Sequence, residues 1–273
     1  MNIPIIPLLI LGGGYTGQVI YRQASLLRRP LLISSRKPEE HLIGIPPKQR
    51  IFFDLHQEKS WDLLPEKADL IWTFPATPLD QVMRFGEGKG TIFRRLVVIG
   101  STSAYPTSQG FEGIIDEKIP PDKTIPRVAG EEYLREVHGA IVLRSAGIYG
   151  PGRNPLDWIR QGRIGYTPRF VNLIHIEDLA GICLQALEKG TPGETYNVSD
   201  GSPRRWSEII DLAEKRWNVP RPPASSENRI GKKISNQKIL EEFNYGFQYA
   251  DLYTALHQIE KNQEKQDDRN LPA

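Results

Sequence analysis

A glycine-rich segment near the start of the chain has the residue types and spacing needed to hold a pyrophosphate. It includes Gly12, Gly14 and Gly17, which form the pattern GxGxxG. The first glycine permits a tight turn, the second lets the backbone approach the phosphates, and the third lets the next helix pack on the strand. Backbone amides at the start of that helix, around Tyr15 and Thr16, would then face the anion. The pattern predicts a dinucleotide site, and the alternative is an ordinary glycine-rich turn.

The segment after the next apolar run bears on which dinucleotide would bind. It reads Ser34-Ser35-Arg36-Lys37, with no acidic residue before Glu39. An acidic side chain at this point holds the ribose 2′-hydroxyl of NAD, whereas an arginine accommodates the 2′-phosphate of NADP. With Ser35 as a donor and Lys37 as a second charge, Arg36 predicts NADP over NAD. The alternative for Arg36 is a solvated loop residue.

Short apolar runs supply the elements that would position these residues. They cover residues 8–11, 31–34, 50–54, 68–74, 95–100 and 140–143, and the segments between them have room for crossover helices. Runs of this length fit strands that are buried on both faces. Their alternation with helices predicts an α/β fold with a doubly wound parallel sheet, the Rossmann type. Asp54 ends the third run, where it would bind an adenine amino group or simply form a turn.

The texture of the chain changes after about residue 150, where proline, glycine and arginine become frequent. We predict helices at 18–27, 176–189, 206–217 and 249–261, the last leading into a frayed, charged tail. The expected organisation is a Rossmann domain over 1–150 and a smaller C-terminal substrate lobe over 151–273. Residues 172–200 are expected to return to the Rossmann core.

Composition excludes several classes of partner. The net charge is only +2, from 35 basic and 33 acidic residues, so no nucleic-acid or anionic-membrane partner is expected. Basic pairs such as Lys232-Lys233 are interpreted as solvated surface. The single cysteine, Cys183, lies in an apolar stretch and is expected in the core of a protein from a reducing compartment.

Neither a signal peptide or membrane span nor a metal site is expected. The apolar segment 3–11 lacks a basic flank, is interrupted by Pro4 and Pro7, and is too short to span a bilayer. It is interpreted as a buried strand of a cytoplasmic protein. The five histidines have no metal-ligand spacing, so no metal site is predicted.

Four later motifs occur in the order seen in extended short-chain dehydrogenase/reductases, which include nucleotide-sugar epimerases and dehydratases. They are VVIGSTSAYP (97–106), LRSAGIYGPGRNP (143–155), NLIHIEDLA (172–180) and YNVSDGSP (196–203). The chain resembles most closely an atypical branch that keeps the glycine turn but often loses active-site residues. The resemblance implies a Rossmann fold, a small-molecule substrate and, as is common in the family, a homodimer.

The family uses a tyrosine as general acid/base, a lysine four residues later, and a serine or threonine after the fifth strand. By resemblance Ser101 is at the serine position, with Thr102 and Ser103 as neighbouring hydroxyls. Arg127 stands where the tyrosine is expected and Glu131 where the lysine is expected. The chain contains no YxxxK sequence at all.

This departure leaves the acid/base unassigned, because an arginine side chain does not deprotonate in proteins. Tyr105 or Tyr149 could act as a substitute acid, with Arg127 as an electrophile toward an anionic substrate. Alternatively, Arg127 and Glu131 form an ion pair across one turn of an exposed helix.

The resemblance assigns roles to the residues after the sixth strand. Gly147 and Ile148 would border the nicotinamide, with a simple strand-to-loop turn as the alternative. A second group would contact the substrate and comprises Tyr149, Arg153 and Asn154. His175 and Asp178 match a segment that is mainly structural in the family.

Two functional hypotheses follow. The first is an NADP-binding oxidoreductase-like or epimerase-like enzyme, which the retention of Ser101 and of a substrate lobe favours. The second is a catalytically weak or inactive NADP-binding sensor or scaffold protein, which the loss of the tyrosine and lysine favours. An unrelated Rossmann protein, such as a methyltransferase, is disfavoured by the later motifs.

Overall fold

The computed structural model of the chain describes residues 6–106, 113–226 and 230–270. Its strands are β1 (Leu8–Leu11), β2 (Leu31–Ser35), β3 (Arg50–Phe52), β4 (Ala68–Trp72), β5 (Phe93–Ser101), β6 (Ile114–Ile115), β7 (Ile141–Ser145), β8 (Gly147–Tyr149), β9 (Phe170–Val171), β10 (Leu173–His175), β11 (Thr195–Val198), β12 (Arg204–Arg205) and β13 (Lys233–Ile234). Its helices are α1 (Tyr15–Ala24), α2 (Pro38–His41), α3 (Glu58–Trp61), α4 (Leu79–Lys89), α5 (Pro126–His138), α6 (Pro155–Arg160), α7 (Ile176–Lys189), α8 (Trp206–Trp217), α9 (Gln237–Phe243) and α10 (Leu252–Asn270).

Seven strands form one sheet in the order β11-β7-β5-β4-β1-β2-β3, and all the pairings within it are parallel. The order reverses beside β1, so helices cover both faces of the sheet. The predicted α/β doubly wound Rossmann class is confirmed. In such a sheet, ligands bind outside the carboxyl ends of the strands, beside the point where the strand order reverses.

Strand β1, in the interior of the sheet, shows why these apolar runs form strands. All four residues of β1 are buried, because successive side chains point to opposite faces and both faces are covered. Leu8 and Ile10 belong to an apolar cluster that includes Leu179 of α7. Leu9 belongs to the cluster on the other face, with Phe85 of α4.

The chain returns to the sheet after residue 172, since β11 pairs with β7 and places Val198 beside Ser145. A third apolar cluster lies away from the sheet and joins α6, α8 and α10 through residues such as Leu156, Ile209 and Leu256. The C-terminal region therefore has a small core of its own. The division of the chain at residue 150 stays a prediction.

Several boundaries differ from the sequence-based expectations. Helix α1 starts at Tyr15 rather than at residue 18, because the glycine turn leads directly into it and Gly14 is its N-cap. Helix α10 continues to Asn270, where a frayed tail is predicted after 261. Helix α9 is not predicted, yet its buried Ile239 and Phe243 pack in the main core.

Asp178 of α7 fastens the segment that leads into α10. Its side chain is buried and accepts hydrogen bonds from the Gln248 amide (2.8 Å), the Tyr249 amide (2.9 Å) and the Tyr245 hydroxyl (3.1 Å). The ring of His175, at the start of the same helix, stacks on Tyr249 at 3.6 Å. Burial lowers the pKa of His175 to about 4, so this ring is neutral at physiological pH. Both residues make the structural contacts that the resemblance implies.

Replacement of Asp178 tests whether its hydrogen bonds attach the segment that leads into α10. We expect Asp178→Ala to lower the free energy of unfolding by about 2–4 kcal/mol, because one buried and two partly buried donors lose their acceptor. Urea denaturation followed by circular dichroism measures it. Glu188→Ala, an exposed change on the same helix, is the matched control and is expected to have little effect. Equal stability of Asp178→Ala and the control would contradict the anchoring role.

Candidate functional site

The glycine turn between β1 and α1 is held from three sides. Gly12 has φ +104°, which favours glycine, and its amide donates to Ser34 Oγ at 3.1 Å. The Thr73 hydroxyl, just after β4, donates to the Gly12 carbonyl at 2.8 Å. A Cβ atom on Gly17 would lie 1.9 Å from that same carbonyl oxygen, so α1 packs directly on the turn. The sequence analysis identified the glycines but missed Thr73, which lies within the apolar run 68–74 and carries no signal of its own.

Gly14 differs from the other glycines of the turn because the space into which a side chain would point is empty. A Cβ atom built there has no other atom within 4 Å, and its φ of −76° suits any residue. The space in front of the first turn of α1 is therefore open, with Tyr15 and Thr16 as the first helical residues. Backbone amides at such a helix start attract phosphate oxygens. The residues present thus fit a pyrophosphate.

A cleft of about 700 Å³ extends from the turn along the carboxyl ends of β1 to β4. That volume lies within the range of small-molecule sites. Its lining includes Gly12, Gly13, Gly14, Ser35, Arg36, His41, Phe53, Asp54, Phe74 and Pro75. The predicted cofactor residues of the first three loops are therefore brought together around one cavity.

The charged rim of the cleft is formed by Arg36. This side chain is exposed and has no ion pair within the part of the chain that the structure describes. Lys37, expected as a second charge, instead pairs with Glu40 at 3.1 Å. Ser35 is also engaged, since its hydroxyl lies 2.9 Å from His41 Nδ1 and accepts from the Lys37 amide. His41 lines the cleft but carried no signal in the sequence.

Asp54 lines the cleft, yet its carboxylate is used in a turn. Oδ1 accepts from the His56 amide at 3.0 Å, and Oδ2 accepts from Gln57 Nε2 at 3.2 Å. These contacts correspond to the turn-forming alternative for Asp54. Each carboxylate oxygen of Asp54 already accepts a hydrogen bond within the turn. The adenine-binding role of Asp54 stays a prediction.

A second group of polar residues lies where β5 ends. Ser101 is followed by a 3-10 turn over Thr102–Ala104, and its Oγ accepts from the Ser103 amide at 3.2 Å. Arg127, in the first turn of α5, donates to Ser103 Oγ. Lys232, from the segment before β13, donates to the carbonyl oxygens of Thr102 and Tyr105. The structure thus brings Ser101, Thr102, Ser103 and Arg127 together, and adds Lys232.

Lys232 was missed because the pair Lys232-Lys233 was interpreted as solvated surface. That interpretation is wrong for both residues. Lys232 is half-buried against the loop after β5, and Lys233 Nζ lies 4.7 Å from the centroid of the Phe170 ring. Tertiary packing of the lobe on the sheet, which local sequence does not reveal, creates these contacts.

Glu131 lies one helical turn below Arg127, but the predicted exposed ion pair between them is wrong. The Glu131 side chain is 1% exposed and packs against Gly100 of β5, where a Cβ atom would lie 2.6 Å from Oε2. Within the described residues Oε2 has no hydrogen-bond partner. Burial raises the pKa of Glu131 from 4.5 to about 7, although Arg127 and Arg144 act to lower it. The lysine position of the family pattern therefore holds a buried carboxyl group.

Tyr105 does not face the cleft. It is 1% exposed, its hydroxyl donates to Asn197 Oδ1 at 2.6 Å, and the guanidinium of Arg144 lies 4.9 Å from its ring centroid. Arg144 in turn pairs with buried Glu132 at 3.0 Å. Burial raises the pKa of Tyr105. The prediction of Tyr105 as a substitute acid is corrected, because its hydroxyl is part of a structural network.

Two of the predicted substrate residues are also buried elsewhere. Tyr149 is fully buried, packs edge-on against His175, and has a pKa raised by burial. Asn154 caps α6 by accepting from the Leu156 amide at 3.0 Å and donates to Glu260 Oε1 at 2.5 Å. Neither side chain is available to a substrate in this structure, because both are buried by the packing of the lobe.

The remaining predicted residues lie between the turn and the lobe. The guanidinium of Arg153 lies 5.3 Å from the ring centroid of Tyr15, and the Tyr15 hydroxyl donates to the Pro151 carbonyl at 3.1 Å. Burial raises the pKa of Tyr15 to about 12. Gly147 and Ile148 form β8, which pairs with β10 directly after β7. Arg153 is exposed, and its contact with the Tyr15 ring places it beside the start of α1.

Nowhere in residues 6–106, 113–226 and 230–265 do three or more histidine, cysteine, aspartate or glutamate side chains gather in a way that could hold a metal ion. Among the helices of the described ranges, none is both long and apolar enough to cross a membrane.

Comparison with known proteins adds to this geometry, although no protein-family model matches the chain. Protein YeeZ of Escherichia coli, in strains K12 and O157:H7, is 28% identical over 167 residues, or 58% of this chain. The match spans about 59% of the length of these relatives.

The similarity to solved structures covers nearly the whole chain. A short-chain dehydrogenase/reductase superfamily protein from Agrobacterium tumefaciens, solved with bound NAD, has a TM-score of 0.80 at 14% identity and covers 97% of this chain and 100% of its own. MoeE5, solved with UDP-glucose and NAD, has a TM-score of 0.77 at 17% identity and covers 95% and 99%. The chain therefore has the fold of the short-chain dehydrogenase/reductases, as the sequence resemblance implies.

The buried carboxyl of Glu131 gives a pH-dependent prediction. Its folded pKa lies above its unfolded value, so the protein loses stability as pH rises from about 4.5 to about 7. Glutamine mimics the protonated group without this loss. We expect Glu131→Gln to be more stable than wild type at pH 8 by roughly 2–3 kcal/mol, shrinking to less than about 0.5 kcal/mol at pH 4.5.

Urea denaturation of both proteins at the two pH values measures the effect. Glu136→Gln is the matched control, because Glu136 is an exposed carboxylate on the same helix whose pKa is lowered by its hydrogen bond to Lys123. This control should gain nothing at pH 8. A Glu131→Gln protein that is less stable than wild type at pH 8 would show that the ionised carboxylate is needed for the fold.

Proposed function

We propose that the chain is an NADP-dependent oxidoreductase or epimerase of the extended short-chain dehydrogenase/reductase type, with an atypical active site. The observation that carries the proposal is the open space in front of Gly14, at the start of α1 and beside a cleft of about 700 Å³. The NAD bound in the Agrobacterium protein and in MoeE5, which share this fold, supports a nicotinamide dinucleotide as the ligand.

NADP rather than NAD is proposed because of the charge at the end of β2. Arg36 lines the cleft without an acidic partner in the described ranges, and Ser35 and His41 lie beside it. A guanidinium can hold a phosphate with two parallel hydrogen bonds, whereas it offers nothing comparable to a 2′-hydroxyl. The carboxylate of Asp54, occupied by a turn, does not take the place of the acidic residue that favours NAD.

The chemistry proposed for the site is hydride transfer at a carbon that bears a hydroxyl or carbonyl group. A bound nicotinamide would supply the hydride acceptor or donor. Ser101, at the end of β5, is proposed to orient the substrate oxygen, with Thr102 and Ser103 beside it. Arg127 is proposed to act as an electrophile, since a guanidinium stabilises negative charge but does not take up or release a proton. The hydroxyl proton that leaves when the carbon is oxidised is proposed to pass to solvent, and the reverse reaction takes a proton from solvent.

The substrate is proposed to be a small molecule related to nucleotide sugars. MoeE5 was solved with UDP-glucose and also with UDP-glucuronic acid, which supports this class by analogy of fold. A homodimer and a cytoplasmic location belong to the same proposal, and neither a nucleic-acid nor a membrane partner is part of it.

A second candidate function is a redox sensor or scaffold that binds NADP with little or no turnover. The specific observation in its favour is that both tyrosines proposed as substitute acids, Tyr105 and Tyr149, are buried in structural contacts. Glu131 likewise offers no exposed carboxylate. The hydroxyl-lined loop at Ser101 to Ser103 favours the enzyme.

Cofactor affinity tests the choice of dinucleotide. We expect NADPH to bind wild type at least about ten-fold more tightly than NADH, because a charge-assisted contact contributes about 1.5–3 kcal/mol. Arg36→Ala should weaken NADPH binding by about 10- to 100-fold and leave NADH binding unchanged. Fluorescence titration measures both constants, with exposed Arg28→Ala as the control. Equal affinities for NADPH and NADH in wild type would contradict the proposal.

Turnover separates the enzyme from the sensor. With NADP at saturation and a panel of UDP-hexoses, we expect slow turnover, reduced by about 10- to 1,000-fold in Ser101→Ala. Net oxidation is measured as NADPH formation at 340 nm, and epimerisation, which returns the hydride, as the epimeric UDP-hexose by chromatography. NADPH affinity should be the same in the variant and wild type. Tight NADPH binding with no turnover on the panel, and no effect of Ser101→Ala, would favour the sensor.

A further inference from the structure

Two cationic side chains reach the loop after β5 from distant parts of the chain. Arg127 comes from the first turn of α5 and donates to Ser103 Oγ. Lys232 comes from the segment before β13 and donates to the carbonyl oxygens of Thr102 and Tyr105. Both cations are therefore held against one three-residue turn, and both are only partly buried.

Among the residues that the structure describes, no acidic side chain forms an ion pair with either cation. Through the described ranges, no carboxylate oxygen lies within ion-pair distance of Arg127 or Lys232, although most other arginines near the core have such a partner, as Arg144 has in Glu132. Burial lowers the pKa of Lys232, and no carboxylate contributes an opposing effect. Two half-buried positive charges without a counter-charge raise the electrostatic potential at the loop.

Nearby acidic groups are committed to other contacts. Asp116 Oδ1 accepts from the Lys118 amide at 3.0 Å, and Asp122 Oδ1 accepts from the Thr124 amide at 3.0 Å. Glu117 Oε1 accepts from the Asn197 amide at 2.6 Å. Glu131, the acidic group closest to Arg127 along α5, is buried beneath Gly100 with a pKa raised to about 7, so much of it is uncharged near neutrality.

The loop itself adds neutral donors. Ser103 is exposed, and because its Oγ accepts from Arg127, its hydroxyl proton is free to point outward. Ser101 and Thr102 are half-exposed beside it. Guanidinium, ammonium and hydroxyl groups that converge on one point form a set of donors suited to carboxylate or phosphate oxygens.

The position of the loop separates this group from the proposed pyrophosphate site. Ser101 ends β5, whereas the glycine turn follows β1, and β4 lies between the two strands. An anion bound at Arg127 would therefore lie on the substrate side of the crevice. Lys232 reaches it because β13 pairs with β6 and brings the C-terminal segment over the loop.

We propose that Arg127, Lys232 and Ser103 form a binding site for an anionic group of the substrate, a carboxylate or a phosphate, next to Ser101. The proposal rests on the proposed function only in taking the bound anion to be part of a substrate. The anion site itself is defined by these three side chains. It narrows the substrate class to molecules with a negative charge close to the reacting carbon. The alternative is that both cations only hold the loop after β5 in place and bind no anion.

Anion titrations tested by NMR distinguish the two. ¹⁵N-labelled protein, with NADPH present to fill the glycine-turn site and again without it, is titrated with inorganic phosphate and, separately, with acetate. We expect at least one anion to shift the backbone amides of Ser101, Thr102 and Ser103 in a saturable way. Saturation by acetate identifies a carboxylate site and saturation by phosphate a phosphate site.

Charge-neutral variants give the decisive comparison. Arg127→Gln and Lys232→Met, each checked for an unchanged fold by its amide spectrum, should weaken the anion at least about ten-fold, in line with loss of one charge-assisted contact. Arg127→Lys and Lys232→Arg should stay within about three-fold of wild type, because each variant keeps the positive charge that attracts the anion. Arg36→Ala serves as a control that removes a cation from the cofactor side only.

Two results would overturn the proposal. One is the absence of saturable shifts at the loop with either anion. The other is equal anion affinity in wild type, Arg127→Gln and Lys232→Met, which would mean that the cations act only as tethers. Failure of NADPH to bind would instead count against the proposed function, since the loop shifts are recorded both with and without the dinucleotide.

Discussion

The close packing of α1 on the glycine turn is the contact on which the rest of the site depends. A single Cβ atom at Gly17 would lie 1.9 Å from the Gly12 carbonyl, so no other residue permits this approach. The approach aims the start of α1 at the carboxyl edge of the sheet and leaves open space in front of Gly14. Ser34 and Thr73 hold the turn from neighbouring strands, which ties the geometry of the site to the order of the sheet. The cleft along β1 to β4 follows from that arrangement.

On the other side of the crevice, the charges of two side chains on α5 differ from those that the family pattern implies. Where the sequence resemblance implies a tyrosine and a lysine one turn apart on α5, this chain has Arg127 beside the loop after β5 and the carboxyl group of Glu131 in the interior. The change is accommodated structurally, since Gly100 makes room for Glu131 and Ser103 accepts from Arg127. A site of this kind is better suited to holding negative charge than to exchanging protons.

The sequence predicts local features well and tertiary contacts poorly. Six of the strands, the parallel sheet and the glycine turn follow from apolar runs and glycine spacing, because burial on both faces and tight turns leave direct signatures. The partners of Tyr105, Asn154 and Glu131 do not, since each is fixed by residues far away in the chain, such as Asn197, Glu260 and Gly100. Motif matching placed these residues in the correct loops but did not reveal which side chains turn inward. Lys232 was missed for the same reason, since only the packing of the lobe brings it to the loop after β5.

Binding of a nicotinamide dinucleotide over the turn at Gly14 can be tested by one titration. Gly14→Val places a branched side chain in the open space where the pyrophosphate would lie, while the backbone angle and surroundings of Gly14 accept a Cβ atom without strain. Calorimetric titration with NADPH should give one site per wild-type chain and at least about 100-fold weaker binding in a variant with the same thermal midpoint, because steric exclusion removes the helix-amide contacts. Equal NADPH affinity in the two proteins, or no NADPH binding to wild type, would contradict the account.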